Sequence, residues 1–167
     1  LTAEGADRLR YAYDDAGRLI ELTDALGGRT RLTYEENGRL VATTDAAGRT
    51  SHYIYNALGR VVENRDAAGG ITRYAYDAAG NLERVTDANG NATTLAYDAE
   101  NRLVARTDAL GRSWQWEYDA LGRLAWRADP SGSRADLAYD SMGRPTTIAW
   151  SDGQIRRSTF DALGRVT

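Results

Sequence analysis

The sequence predicts an all-β protein that folds as an antiparallel meander of about sixteen short strands. Three observations predict this class: an aromatic residue recurs every 21 residues, two turn signals fall in each period, and about five to seven residues separate successive turns. A strict period of this length is typical of a repeat array. The repeat motifs start at Tyr13, Tyr34, Tyr55, Tyr76, Tyr97, Tyr118, Tyr139 and Phe160. We therefore interpret residues 1–167 as one array without separate domains.

Most turn signals have an acidic or amide residue at the first position and glycine at the fourth. The motif at each aromatic residue is Y-D-x-x-G-R-L, clearest at Tyr118–Leu124 and Phe160–Val166, and a second D-x-x-G follows about ten residues later. Asp first and Gly fourth favour a type I turn, and the Gly can take the left-handed conformation that closes a three-residue hairpin with a bulge. The turn residues include Asp14, Gly17, Asp24, Gly27, Asp45, Gly48, Asp77, Gly80, Asp108, Gly111, Asp119, Gly122, Asp140 and Gly143.

The segments between the turns have the length and composition of strands. Arg18–Thr23 and Arg49–Ile54 carry the Thr, Leu and Tyr that pleated strands favour. In Trp114–Tyr118 the three aromatic residues alternate and share one face, whereas Leu19 beside Ile20 places apolar groups on both faces. Equivalent tyrosines lie two strands apart, roughly 9.6 Å at a strand spacing of ~4.8 Å. An intervening Leu or Val would then give alternating aromatic and aliphatic side chains along one face.

A few repeats depart from the motif. Four departures are polar substitutions at turn positions: Glu35, Asn56, Asn81 and Asn101. In the seventh repeat Pro145 replaces the Leu, and Ser151–Gly153 suggests that the second turn is displaced by two residues. Proline within a strand indicates an edge or a bulge. We therefore expect irregular structure between Pro145 and Gly153.

Composition excludes several classes of function. The net charge of -3, with charges interspersed, argues against nucleic-acid binding, and no apolar run is long enough to span a membrane as a helix. There is no Cys and a single histidine, His52, so no nucleophile–His–acid set and no zinc site is expected. The aspartates suit turns better than calcium loops. We expect no enzymatic activity, no metal and no cofactor.

Asp129-Pro130-Ser131-Gly132 allows two interpretations. It lies at an ordinary second-turn position, where Pro is favoured as the second residue of a type I turn. The alternative is the Asp-Pro start of a self-cleaving segment, but the array continues beyond it. We interpret it as a turn.

The arginine after each turn Gly is placed to pair with the turn Asp. A single exposed pair contributes ~0–1 kcal/mol, but a row of pairs along one rim of the sheet would act together. We state such a lattice as a hypothesis, which an unchanged melting temperature of Arg123→Leu would contradict.

The alternating Y-D-x-x-G-R-L and T-D-x-x-G-R-T motifs resemble the RHS or YD-repeat family over essentially the whole chain. This resemblance implies a curved β-ribbon that forms part of a hollow shell, as in bacterial Rhs polymorphic toxins, insecticidal toxin-complex C proteins and teneurin-like proteins. In the bacterial toxins the shell encloses a C-terminal toxic domain. Eight repeats would supply only part of such a wall, so the resemblance implies a fragment of a larger, secreted or surface-exposed bacterial protein.

The leading hypothesis is therefore a structural wall segment whose partners are neighbouring repeats and a toxin cargo, with delivery by a system such as type VI secretion. No signal peptide is visible. Unpaired edge strands would favour self-association. The alternative is a carbohydrate-binding or adhesion module that uses exposed tyrosines and the tryptophans Trp114, Trp116, Trp126 and Trp150. The competing explanation for these tryptophans is packing, because Trp114 and Trp116 share the phase of the repeat tyrosines.

Overall fold

The fold is all-β and antiparallel, as the sequence predicts. The computed structural model describes residues 9–167, which form fifteen strands and no helix. Hence no helix in this range could span a membrane. The strands are β1 (Arg10–Tyr13), β2 (Leu19–Thr23), β3 (Arg29–Tyr34), β4 (Leu40–Thr44), β5 (Thr50–Tyr55), β6 (Val61–Arg65), β7 (Ile71–Tyr76), β8 (Leu82–Thr86), β9 (Ala92–Tyr97), β10 (Leu103–Thr107), β11 (Ser113–Tyr118), β12 (Leu124–Ala128), β13 (Arg134–Tyr139), β14 (Pro145–Trp150) and β15 (Ile155–Arg157).

The chain divides into two compact units, whose boundaries along the chain fall near the end of β7, within β8 and just before β9. The first unit comprises the chain up to Ala75 together with Val85–Asn91, and the second comprises Tyr76–Arg84 together with Ala92–Thr167. In each unit the strand order follows the chain, and consecutive strands pair antiparallel. The eighth repeat ends in an isolated bridge between Phe160 and Val166 in place of a sixteenth strand.

The hairpins have three-residue turns closed by a left-handed residue. In the first, the Asp14 amide donates to the Arg18 carbonyl and the Gly17 amide donates to the Asp14 carbonyl, both at 2.9 Å. Gly17 has φ of 77°. Asn101 takes the same role with φ of 61°, the one positive φ of a non-glycine residue in the described range. Asn tolerates this region better than other side chains do, which explains its place at a turn glycine position.

A β-bulge lies in the strand pairings that follow six of the repeat tyrosines, Tyr13, Tyr34, Tyr55, Tyr97, Tyr118 and Tyr139. Ala12 pairs with Glu21, but Tyr13 pairs with Leu19, so Ile20 is an extra residue on β2. The equivalent extra residues are Val41, Val62, Val104, Ala125 and Thr146. The bulge explains why Leu19 and Ile20 are both apolar, since two successive residues oppose one tyrosine.

The prediction of irregular structure between Pro145 and Gly153 is wrong. Tyr139 pairs with Pro145 through the same bulge as in the other repeats. The Gly153 amide donates to the Trp150 carbonyl at 3.0 Å, so the turn keeps its register and Trp150 stands where other repeats have Asp. Pro145 is tolerated because it is the first residue of its strand and precedes the bulge. The left-handed Gly153, and not Asp152, fixes the position of the turn.

Burial is shallow throughout the described range. The buried apolar residues there are Ala42 and Ala135, at 8% and 4% exposure. In β5, for example, Tyr53 and Tyr55 on the tyrosine face are half-buried, whereas His52 and Ile54 on the other face are exposed. Stability therefore comes from contacts between adjacent strands and repeats, as in other quasi-one-dimensional folds.

Candidate functional site

The turn aspartates accept hydrogen bonds from their own hairpins. Asp14 Oδ1 accepts from the amides of Ala16 and Arg18 at 3.0 and 2.9 Å, and Asp14 Oδ2 accepts from Arg18 Nε at 2.7 Å. These bonds, led by the Arg18 amide, hold the pKa of Asp14 below its ordinary value. The Asp closes the turn and at the same time orients the arginine.

The oriented arginine contacts the next repeat. The Arg18 guanidinium lies 5.0 Å from the centroid of the Tyr34 ring, and its Nη1 donates to the Glu35 carbonyl at 3.3 Å. Tyr34 in turn donates its hydroxyl to the Leu19 carbonyl at 2.8 Å. We call this row of Asp, Arg and next-repeat aromatic residues the Arg–aromatic ladder. Equivalent stacking joins Arg39 to Tyr55, Arg102 to Tyr118, Arg123 to Tyr139 and Arg144 to Phe160.

One repeat of the second unit lacks the arginine. Asn81 donates to Asp77 Oδ2 at 3.0 Å and to Asn101 Oδ1 at 2.7 Å. The Tyr97 hydroxyl still donates to the Leu82 carbonyl at 3.1 Å. An asparagine is too short to cover the Tyr97 ring, so an amide–amide hydrogen bond replaces the cation–π contact.

The sequence predicted the ion pairs of this ladder but missed the stacking. The repeat tyrosines have apolar cross-strand partners, as Tyr118 has Leu124 and Tyr55 has Val61. However, beyond strand pairing, the side-chain contacts that link one repeat to the next come from Arg and from the tyrosine hydroxyl. The constant spacing between these residues could have indicated the stacking, since each Arg precedes the aromatic residue of the next repeat by 16 residues.

Three of the four tryptophans lie on one face of the second unit. Cross-strand partners share a face, and here Trp116 pairs with Arg127, Arg127 with Ala135, and Ala135 with Trp150. With Trp114 and Asp129, these side chains line a depression of about 230 Å³. The sequence could not place Trp150 here without the register of β14.

The fourth tryptophan belongs to the opposite face. Trp126 pairs with Glu117 and Asp136, its indole Nε1 donates to Glu117 Oε2 at 2.6 Å, and Arg134 lies 4.3 Å from its ring centroid. The four tryptophans singled out in the sequence therefore do not form one cluster.

The remaining residues considered for chemistry have simple environments. His52 is exposed. Among residues 9–167 no group of three or more His, Cys, Asp and Glu side chains is placed to hold a metal ion. Asp129–Gly132 forms a turn in which the Gly132 amide donates to the Asp129 carbonyl at 3.0 Å.

The sheet geometry and the Arg–aromatic ladder together define the class of protein. It is a β-meander of 21-residue repeats in which arginines and aromatic residues link successive repeats. The teneurin YD-shell family matches residues 2–150, and the chain belongs to this family. No curated protein sequence matches the chain.

Solved structures with a similar fold include the Tc holotoxin pore of Photorhabdus luminescens, with a TM-score of 0.78 and 18% identity over 95% of this chain and 10% of that chain. A TcdB2–TccC3 crystal structure matches with a TM-score of 0.64 and 19% identity over 96% of this chain and 11% of that chain. The present chain thus spans about one tenth of the length of these structural neighbours.

Proposed function

We propose that this chain is a segment of a YD-shell wall, and that in its parent protein the wall encloses a C-terminal toxin domain. The observation that carries the proposal is the Arg–aromatic ladder. In this ladder an Asp binds an Arg, the Arg stacks on the Tyr of the next repeat, and that Tyr donates its hydroxyl back to a carbonyl of the preceding repeat. The same contacts therefore join successive repeats. Membership of the YD-shell family and the likeness of fold to Tc toxin structures support the proposal.

The proposed mechanism is physical containment without enzymatic activity. Each hairpin is closed by its own turn, and each repeat is held to the next by strand pairing, by a tyrosine hydroxyl and by an arginine. Nearest-neighbour coupling of this kind makes opening of one repeat costly for its neighbours. The proposed partners are adjoining repeats and the cargo, in a secreted or surface-exposed bacterial protein. The route of delivery, including type VI secretion, stays a prediction.

Limited proteolysis of the parent protein tests containment. We expect the C-terminal domain to resist protease in the parent and to be digested quickly when expressed alone. A ladder variant with Arg102, Arg123 and Arg144 replaced by Leu should lose protection earlier on heating. A control variant that replaces the exposed Arg31 and Arg73 of the opposite face should behave like the parent. Equal digestion of the cargo in the parent and in isolation would exclude containment.

A further inference from the structure

We propose that copies of this chain join head to tail, with Arg165 of one copy stacked on the Tyr13 ring of the next. The partner is therefore a second copy of the chain, and each copy supplies one half of the contact. This inference goes beyond the wall function, since it rests on the geometry of the Arg–aromatic ladder and does not depend on a cargo.

Arg165 has the same local geometry as the arginines inside the ladder but a far more exposed side chain. Its Nε donates to Asp161 Oδ2 at 2.7 Å. Arg144 makes the same bond in its own turn, but it also lies 4.6 Å from the Phe160 ring centroid and its side chain is only 28% exposed. The Arg165 side chain is 75% exposed, and no aromatic ring of the described residues covers it. Arg165 is therefore already oriented for a ring that this part of the chain does not supply.

Tyr13 lacks the covering that the later repeat tyrosines have. Tyr34 is half-buried, with Arg18 over its ring and its hydroxyl bonded to a carbonyl of the preceding repeat. Tyr13 is 59% exposed, and among residues 9–167 no arginine lies over its ring and no carbonyl accepts its hydroxyl. Tyr11, on the same face of β1, is 52% exposed. The first strand thus presents an uncovered aromatic surface.

The two ends of the ladder supply what each other lacks. Inside the ladder, Arg123 lies 4.5 Å from the Tyr139 ring centroid, and Tyr139 donates its hydroxyl to the carbonyl of the residue after the arginine. In the proposed contact, Arg165 covers the Tyr13 ring and the Val166 carbonyl accepts the Tyr13 hydroxyl. Val166 is 69% exposed, so the contact also buries apolar surface at both ends. The attraction between the guanidinium and the ring adds to this burial.

The contact joins unlike ends of the chain. A contact between two tails would bring arginine against arginine, which is repulsive, and a contact between two heads would leave both tyrosine rings without a guanidinium. A head-to-tail contact leaves one free head and one free tail on every assembly, so a third copy can add to a dimer. Only one strand edge takes part, which is less than a standard interface of ~1,200–2,000 Å², so we expect association at roughly 0.1–1 mM chain.

Sedimentation equilibrium of the 167-residue chain from about 10 µM to about 1 mM tests the proposal. We expect the weight-average mass to rise past that of a dimer. Tyr13→Arg blocks the head, because it sets a second cation against Arg165. Arg165→Asn blocks the tail with the residue that Asn81 already provides in an equivalent turn. Each variant alone should associate roughly tenfold more weakly than the parent.

An equimolar mixture of the two variants shows whether unlike ends meet. The tail of the Tyr13→Arg chain and the head of the Arg165→Asn chain are both intact. The mixture should therefore form a dimer and stop there, because the two remaining ends are blocked. Melting followed by circular dichroism should show both variants folded. Should Tyr13→Arg fold poorly, Tyr13→Phe keeps the ring without the hydroxyl and should associate with intermediate strength.

Two matched substitutions separate the ladder contact from general effects. Arg157→Asn removes a charge near the same end but outside the ladder, so it should associate at least as strongly as the parent. Arg144→Asn removes a link inside the ladder, so it should lower the melting temperature and leave association unchanged. A monomer up to about 1 mM, a parent mass that levels off at the dimer, a mixture as monomeric as its components, or a loss of association in Arg157→Asn equal to that in Arg165→Asn would each overturn the proposal.

Discussion

At the residue scale, a left-handed glycine sets the conformation of each turn and an arginine links the turn to the next repeat. Gly122 shows the first role: its φ is 78°, and a Cβ there would meet Arg102 Nη1 at 3.6 Å, which is ordinary contact. Any cost of a side chain at this position therefore comes from the backbone conformation and not from lack of space.

Gly122→Ala should destabilise the chain by about 1–2 kcal/mol, because alanine pays the full left-handed penalty. Gly122→Asn should cost clearly less, since Asn101 adopts the same conformation one repeat earlier. Chemical denaturation of both variants and the parent checks this order. Equal losses for Ala and Asn would show that the backbone conformation is not the source of the cost.

Arg123 shows the second role, because it pairs with Asp119 and lies 4.5 Å from the Tyr139 ring centroid. Arg123→Leu should lower the melting temperature by about 2–4 °C, the effect of losing the stacking and the partly screened ion pair together. Arg49 is the matched control, since it pairs with Asp45 across the second turn of its repeat, which has the same D-x-x-G-R pattern, but is far more exposed. Arg49→Leu should therefore have a smaller effect in the same thermal scan. Equal effects would contradict a contribution from the aromatic ring.

At the element scale, the hairpin is predictable from the sequence and its links to other hairpins are not. Asp at the first and Gly at the fourth position of a turn act locally, so Asp14 and Gly17 identify their turn without any knowledge of partners. The bulge at Ile20 and the stacking of Arg18 on Tyr34 depend on strand register, which no single turn reveals. Pro145 misled the prediction for the same reason: its effect depends on its place beside a bulge.

The ladder can be repaired where Asn81 interrupts it. Asn81→Arg should pair with Asp77 and cover the Tyr97 ring, raising the melting temperature by about 2–4 °C after the loss of the hydrogen bond to Asn101. Asn91→Arg is the matched control. Asn91 pairs with Asp87 in the second turn of its repeat, where an arginine would have no repeat tyrosine to cover. A gain at position 91 as large as that at position 81 would show that the ion pair alone is responsible.

At the scale of the whole molecule, shallow burial leaves the ends of the sheet exposed. β15 pairs with β14, and all three of its residues are exposed, two of them arginines. Unpaired strand edges favour association, whereas charged side chains oppose it. We expect the isolated chain to self-associate more strongly as added salt screens Arg156 and Arg157. Light scattering at low and high salt measures this, and a monomer under both conditions at high concentration would contradict it.

The same shallow burial makes stability depend on many turn carboxylates at once. The aspartates whose pKa lies below the ordinary value of 3.8 are Asp14, Asp45, Asp77, Asp87, Asp98, Asp108, Asp119, Asp129, Asp140 and Asp161. In Asp119 the largest cause is the hydrogen bond from the Arg123 side chain. A carboxylate whose pKa is lowered by folding stabilises the folded state above its unfolded pKa, and this contribution is lost as the pH falls through the folded pKa.

The melting temperature should therefore be nearly constant from neutral pH down to about pH 5 and should fall below about pH 4, where the turn aspartates begin to take up protons. Because the groups are repeated along the array, the fall should be steep even though each group contributes little. Asp119→Asn keeps an acceptor in its turn, as Asn56 does naturally, and should make the fall slightly shallower. Thermal scans from pH 7 to pH 2 check the profile. A midpoint above pH 5 would point to a group other than these aspartates, and a constant melting temperature down to pH 2 would show that the turn carboxylates do not hold the repeats together.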